Sequence, residues 1–75
     1  MESNQTLDAR GLNCPLPILR TKKTLNAMVS GDTLKVVATD PGSLKDMVAF
    51  CSQTGNELVS SSENQGEFAF LIRKS

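Results

Sequence analysis

Apolar and polar positions alternate from Thr6 to Arg10, with Leu7 and Ala9 on one side and Thr6, Asp8 and Arg10 on the other, which predicts a short strand. Gly11-Leu12-Asn13 turns the chain. A helix is predicted from near Pro15, because the missing N–H of proline loses nothing in a first turn. Cys14 precedes that proline and is steered toward the extended geometry of an N-cap. Ile18, Thr21, Leu25, Met28 and Val29 share one face of the helical wheel, the face expected in the core, while Leu16 and Leu19 fall off it. Ser30-Gly31-Asp32 should end the helix, with Gly31 as the stop. Leu34 to Thr39 reads as a strand with Leu34, Val36 and Ala38 on one face and Val37 on the other. Asp40 is expected to cap a second helix with Pro41 in its first position. Leu44, Met47, Val48 and Cys51 follow i, i+3, i+4, i+7 and predict its buried stripe, and Gly55 ends it. Leu58-Val59 begins a third strand, Asn64-Gln65-Gly66 turns, and Phe68, Phe70 and Ile72 alternate with Ala69, Leu71 and Arg73 in a last strand.

The order βαβαββ with only two helices points to an α/β (α+β) two-layer sandwich: one four-stranded mixed sheet with both helices on one face. Its other face would carry Val37, Val59, Ala69 and Leu71 among polar residues, an apolar surface modest enough for ordinary exposed strands, with a partner site as the alternative.

Composition narrows the chemistry. The 75 residues make a single domain over 1–75, with residues 1–5 expected to be a flexible N-terminus. Two cysteines and no histidine cannot build the usual four-ligand zinc site, and no calcium-loop pattern is present, so no metal and no cofactor is expected. The first six residues are polar, unlike a signal peptide, and no apolar run approaches membrane-spanning length. The expected setting is reducing and cytoplasmic, away from membranes, with both cysteines as thiols. Eight basic and eight acidic residues cancel, and the three aromatics are all Phe, which argues against stable nucleic-acid binding.

Cys14 is then the one residue placed for chemistry. Its turn-to-helix position should expose the sulfur, and the helix dipole together with Arg10, Arg20, Lys22 and Lys23 should lower its pKa. The lowering should be modest, because Pro15 and Pro17 each remove a backbone N–H; the prolines are better suited to fixing where the sulfur points. The chain has no histidine to serve as a base and no Cys-x-x-Cys pair, which argues against cysteine hydrolysis and dithiol exchange. A lone exposed thiol can still accept a sulfur atom by attack on sulfane sulfur. Cys51, on the predicted stripe, is expected to be buried and inert, with no Cys14–Cys51 disulfide. Phe50 falls off that stripe as either an edge contact or a docking residue. Arg10, Arg20, Lys22 and Lys23 around an apolar centre of Leu12, Leu16 and Leu19 form the expected docking surface, a solvated helix face being the plainer alternative.

Leu7-Asp8-Ala9-x-Gly11-Leu12-x-Cys14-Pro15-x-Pro17 resembles the opening motif of the TusA/SirA/YedF family of small sulfur-carrier proteins. Asp40-Pro41-Gly42-Ser43, Phe50-Cys51 and Leu71-Ile72-Arg73-Lys74 extend the likeness over nearly the whole chain. The resemblance implies the βαβαββ sandwich and a persulfide carried on Cys14, with Asp8, Gly11, Pro15 and Pro17 supporting the motif. It implies a cysteine desulfurase or rhodanese-like sulfur donor and a TusBCD/DsrEFH-type acceptor, leading to thiolation of tRNA wobble uridine or to dissimilatory sulfur oxidation. It further implies a monomer working through transient complexes, a sulfurtransferase-type carrier without a complete catalytic cycle of its own. Position 16 is Leu where some members carry an acidic residue, which bears on partner choice. Two other readings stand beside it: a thiol-based redox-sensing or regulatory module, and a plain interaction domain.

Overall fold

The computed structural model describes residues 4–75. Its elements run β1 (Gln5–Ala9), α1 (Leu16–Asn26), β2 (Thr33–Ala38), α2 (Ser43–Thr54), β3 (Glu57–Asn64) and β4 (Glu67–Arg73), the expected order. Strand β1 starts at Gln5, and Asn4 exchanges hydrogen bonds with Thr33, so the expected flexible stretch 1–5 gives up its last two residues to the sheet. Residues 1–3 lie outside the described residues.

The four strands form one mixed sheet in the order β1-β2-β4-β3. β1 pairs parallel to β2, with Leu7 opposite Val36. β4 pairs antiparallel to both β2 and β3, so β3 runs parallel to β2 with β4 inserted between them. The β3–β4 hairpin turns on Gln65 and Gly66, both at positive φ (52° and 82°), the geometry whose twist suits a two-residue hairpin loop.

Leu34, Val36 and Ala38 of β2 and Phe70 and Ile72 of β4 point to one face and are fully buried there under both helices. Val37, Val59, Ala69 and Leu71 occupy the opposite face, half-buried, as the alternation requires. The two-layer sandwich with both helices on one side follows from this single buried face.

Three helix details differ from expectation. α1 ends at Asn26, not at Gly31. Lys74 Nζ donates to the carbonyl of Leu25 at 2.7 Å, and the chain continues in turns through Ala27, Met28 and Asp32. Val29 therefore sits in a turn at 67% exposure and leaves the core face, while Thr21, Leu25 and Met28 are buried in it and Ile18 is half-buried against it.

At the start of α2, Asp40 is not the cap. Asp40-Pro41-Gly42-Ser43 closes a turn through a Ser43 N–H to Asp40 carbonyl bond of 3.0 Å, and Gly42 takes the N-cap position without a side-chain bond. Proline at the second place of such a turn is a favoured arrangement. The backbone of Asp40 does the capping work, and its carboxylate is released for another contact.

The buried stripe of α2 is Ser43, Met47, Phe50 and Cys51, rotated from the expected one; Leu44 and Val48 are exposed at 44% and 49%. The helix must cover β4 and meet α1 at once, and this draws Phe50 inward. Gly55 ends the helix in the left-handed conformation, φ 79°, as expected.

Candidate functional site

The loop carrying Cys14 leaves the carboxyl end of β1, beside the loop that leaves the carboxyl end of β2. Three backbone donors fix it. Gly11 N–H bonds Thr39 Oγ1 at 2.9 Å, Leu12 N–H bonds the Ala9 carbonyl at 3.3 Å, and Leu16 N–H bonds the Asn13 carbonyl at 2.8 Å. Gly11 has φ 81°, a conformation that side-chain-bearing residues adopt only at a cost.

The N-cap of α1 is Pro15, and Pro17 is its second residue, so Cys14 lies one position outside the helix instead of capping it. The Cys14–Pro15 peptide is cis. Pro17 is buried, and its carbonyl accepts the Thr21 hydroxyl at 2.7 Å. The helix start is thus anchored to the core directly below the thiol.

Cys14 is exposed and Cys51 is buried, and both are free thiols, as expected. Cys14 opens onto a shallow groove of about 240 Å³ between the helices. Pro15 and Ile18 line it from α1, and Asp46, Ala49, Phe50 and Gln53 from α2. Phe50, which sequence left open, is both a core residue and part of the groove wall.

Two carboxylates crowd the sulfur. Cys14 Sγ and carboxylate oxygens of Asp40 and Asp46 all lie within 4.8 Å of one another. Gly42 stands between the acids: a Cβ there would sit 3.4 Å from Asp40 Oδ2 and 3.8 Å from Asp46 Oδ2. Asp40 Oδ2 is buried and takes no hydrogen bond. Such convergence could also hold a cation, but one thiol and two carboxylates lack the thiolate and imidazole donors of a structural zinc site.

The expected lowering of the thiol pKa is overturned. Cys14 is pushed above its ordinary value by a hydrogen bond with Asp46, then by desolvation, then by the negative charges of Asp46 and Asp40. The reason is tertiary: α2 and the loop before it bring Asp46 and Asp40 to the sulfur, while the prolines at the start of α1 withhold the N–H donors that would favour a thiolate.

The predicted supporting residues divide. Asp8 holds Arg10 through bonds of 2.9 and 3.0 Å, and Arg10 also reaches Glu67 at 3.7 Å, so Arg10 is engaged within the domain. The side-chain bond from Arg10, followed by its backbone N–H, brings the Asp8 carboxyl down to about 2. Leu12 is half-buried against the core and contributes little free surface. Leu16, Leu19, Arg20, Lys22 and Lys23 are exposed on α1, and none of them lines the groove. Sequence reasoning missed Asp40, Asp46, Ala49 and Gln53 as neighbours of the thiol. The one signal in reach was Asp40, two residues past β2 and parallel in position to the residues that follow β1.

Fold and site together define a class: a small α/β sandwich that presents one exposed thiol beyond the carboxyl ends of two parallel strands. Within that class, this chain belongs to the TusA sulfurtransferase family, whose family model, described as "Sulfurtransferase TusA", matches residues 5–74. It is 69% identical over 72 residues to the sulfur carrier protein TusA of Allochromatium vinosum, covering 96% of this chain and 95% of that protein. The sulfur carrier protein TusA of Pseudomonas entomophila is 44% identical over 69 residues, 92% of this chain and 86% of the relative. The crystal structure of a SirA-like protein from Desulfitobacterium hafniense shares the fold with a TM-score of 0.81 at 24% identity, covering 92% of this chain and 95% of that one.

Proposed function

We propose that this protein is a sulfur carrier that takes sulfane sulfur from a donor protein, holds it as a persulfide on Cys14 and hands it to an acceptor. The observation that carries this reading is the contrast between the two thiols: Cys14 is exposed in an open groove, and Cys51 is sealed in the core. In loading, Cys14 Sγ attacks the terminal sulfur of the donor persulfide. A new S–S bond forms, the donor S–S bond breaks, and the donor leaves as a thiol once it gains the proton that Cys14 gave up. Unloading reverses these roles toward the acceptor. Each handover conserves electrons, and the carrier completes no catalytic cycle alone.

Gly11 shapes the loop, Pro15 and Pro17 set the helix start that follows Cys14, and Asp8 fastens Arg10 at the start of the loop. The donor is a cysteine desulfurase or a rhodanese-like protein, and the acceptor is of the TusBCD/DsrEFH type, serving tRNA thiolation or sulfur oxidation in the cytoplasm. Among the described residues no helix is long and apolar enough to cross a membrane. Leu16 and Leu19 with Arg20, Lys22 and Lys23, exposed on α1 outside the groove lining, form the docking surface. A redox-sensing role is disfavoured by the family match and by relatives named as sulfur carrier proteins.

The test is intact-mass analysis after incubation with a cysteine desulfurase and L-cysteine. The native protein gains sulfur, and Cys14→Ser folds but gains none. Loading that persists in Cys14→Ser, or a protein that responds to peroxide and not to the desulfurase, would reject the carrier reading.

A further inference from the structure

The thiol of a carrier would be expected among basic groups, yet this one faces two acids. Asp46 comes from the first turn of α2, lines the same groove as Cys14, and is half-buried there. Its carboxylate and that of Asp40 both lie within 4.8 Å of Cys14 Sγ, but of the two acids Asp46 is the one that lines the groove. The titratable groups facing the sulfur are therefore these two, one from α2 and one from the loop that precedes it.

We propose that Asp46 is the proton-transfer residue of sulfur handover, taking the proton from Cys14 as Sγ attacks and delivering it to the thiolate that leaves the donor. This inference rests on the carrier reading above. The balance is closed within the three groups: Sγ–H breaks, the Asp46 carboxyl holds the proton, the donor S–S bond breaks as the new S–S bond forms, and the departing donor sulfur takes the proton back. No oxidant or reductant enters.

A thiolate leaves more readily the less basic it is, so a proton delivered to the departing sulfur eases its departure, and a docked partner that covers the groove excludes the water that would otherwise supply it. The same covering leaves Asp46, whose carboxylate lies within 4.8 Å of the sulfur and lines the groove, as the proton-accepting group in reach. Before docking, the two acids hold Cys14 in its protonated form, so the thiol is restrained toward stray electrophiles and becomes competent in the covered complex.

Two reactions of the same thiol separate this role from simple electrostatics. Alkylation by iodoacetamide expels iodide, which needs no proton, so its rate follows the thiolate fraction alone. Sulfur transfer expels a thiolate, whose departure a proton eases. Asp46→Asn should therefore alkylate severalfold faster than the native protein at neutral pH, because a charge that suppressed the thiolate is gone. Its single-turnover loading by a cysteine desulfurase with L-cysteine should fall roughly tenfold to a hundredfold, and the loss should persist at saturating carrier. Asp46→Glu, which keeps a carboxyl in reach, should recover part of the loading rate.

If Asp46→Asn accelerates both reactions, the residue is only an electrostatic brake and the proposal is overturned. A loss that vanishes at saturating carrier assigns Asp46 to docking and overturns it equally, as does a loading rate that does not change. Failure of the carrier reading itself is distinct: in that case the native protein takes up no sulfur, whatever stands at position 46.

Discussion

Cys14 and Cys51 are one side chain in two environments, the first exposed and the second buried. For Cys14 the deciding neighbours are Asp46 and Asp40, which make the thiolate costly. The rate of iodoacetamide alkylation followed against pH should rise with a midpoint above 9.0, the ordinary value for a cysteine thiol. Asp40→Asn should move that midpoint down by removing one negative charge while leaving Asp46 in place; an unmoved midpoint would show that Asp40 does not act on the sulfur. Gly11 is the residue that lets the loop close, and a Cβ there meets nothing within 4 Å, so the cost of Gly11→Ala is backbone strain alone. That cost should be about 1 kcal/mol, read by urea unfolding, with Cys14 remaining exposed.

At the scale of elements, α2 shows how a helix can keep its limits and change its face. Met47 and Cys51 stand where the 3.6-residue period puts them, but Ser43 and Phe50 replace Leu44 and Val48 in the core. With Cys51 at 3% exposure, Cys51→Ser should destabilise the domain by about 1–3 kcal/mol, the cost of a poorly satisfied hydroxyl, and Cys51→Ala by less, both keeping sulfur loading. Burial also pushes the Cys51 thiol up from 9.0. A raised acid favours the neutral folded form, so this contribution to stability is full below 9.0 and is lost as pH rises through the folded value. Denaturation measured between neutral and alkaline pH should show the loss in the native chain and less of it in Cys51→Ala.

For the whole molecule, the exposed cations of α1 are proposed to bear on encounter and not on the sulfur. Arg20, Lys22 and Lys23 lie away from the groove, and rim charge acts through association rate and is screened by salt. Reversing Lys22 and Lys23 to Glu should slow loading by an acidic donor surface at low ionic strength, and the difference should fade as salt is added. Alkylation of Cys14 should hardly change. Equal loading rates at low salt would leave the basic cluster as a solvated face and move docking to the groove itself.

Element order, strand faces and the contrast between the two cysteines were legible in the chain alone. These depend on local signals: alternation in β2 and β4, the Gly55 stop, the Gln65-Gly66 turn and the Pro-x-Pro run after Cys14 each act within a few residues. Helix faces were legible only in part, because several apolar residues competed for the same stripe and packing against β4 and α1 chose among them. The electrostatics of the thiol were not legible at all. Asp46 is 32 positions along the chain from Cys14, and only the seating of α2 against α1 brings its carboxylate to the sulfur. Near neighbours in sequence suggested a thiolate among cations; the tertiary structure placed a protonated thiol among acids, because charge acts through distance in space and not along the chain.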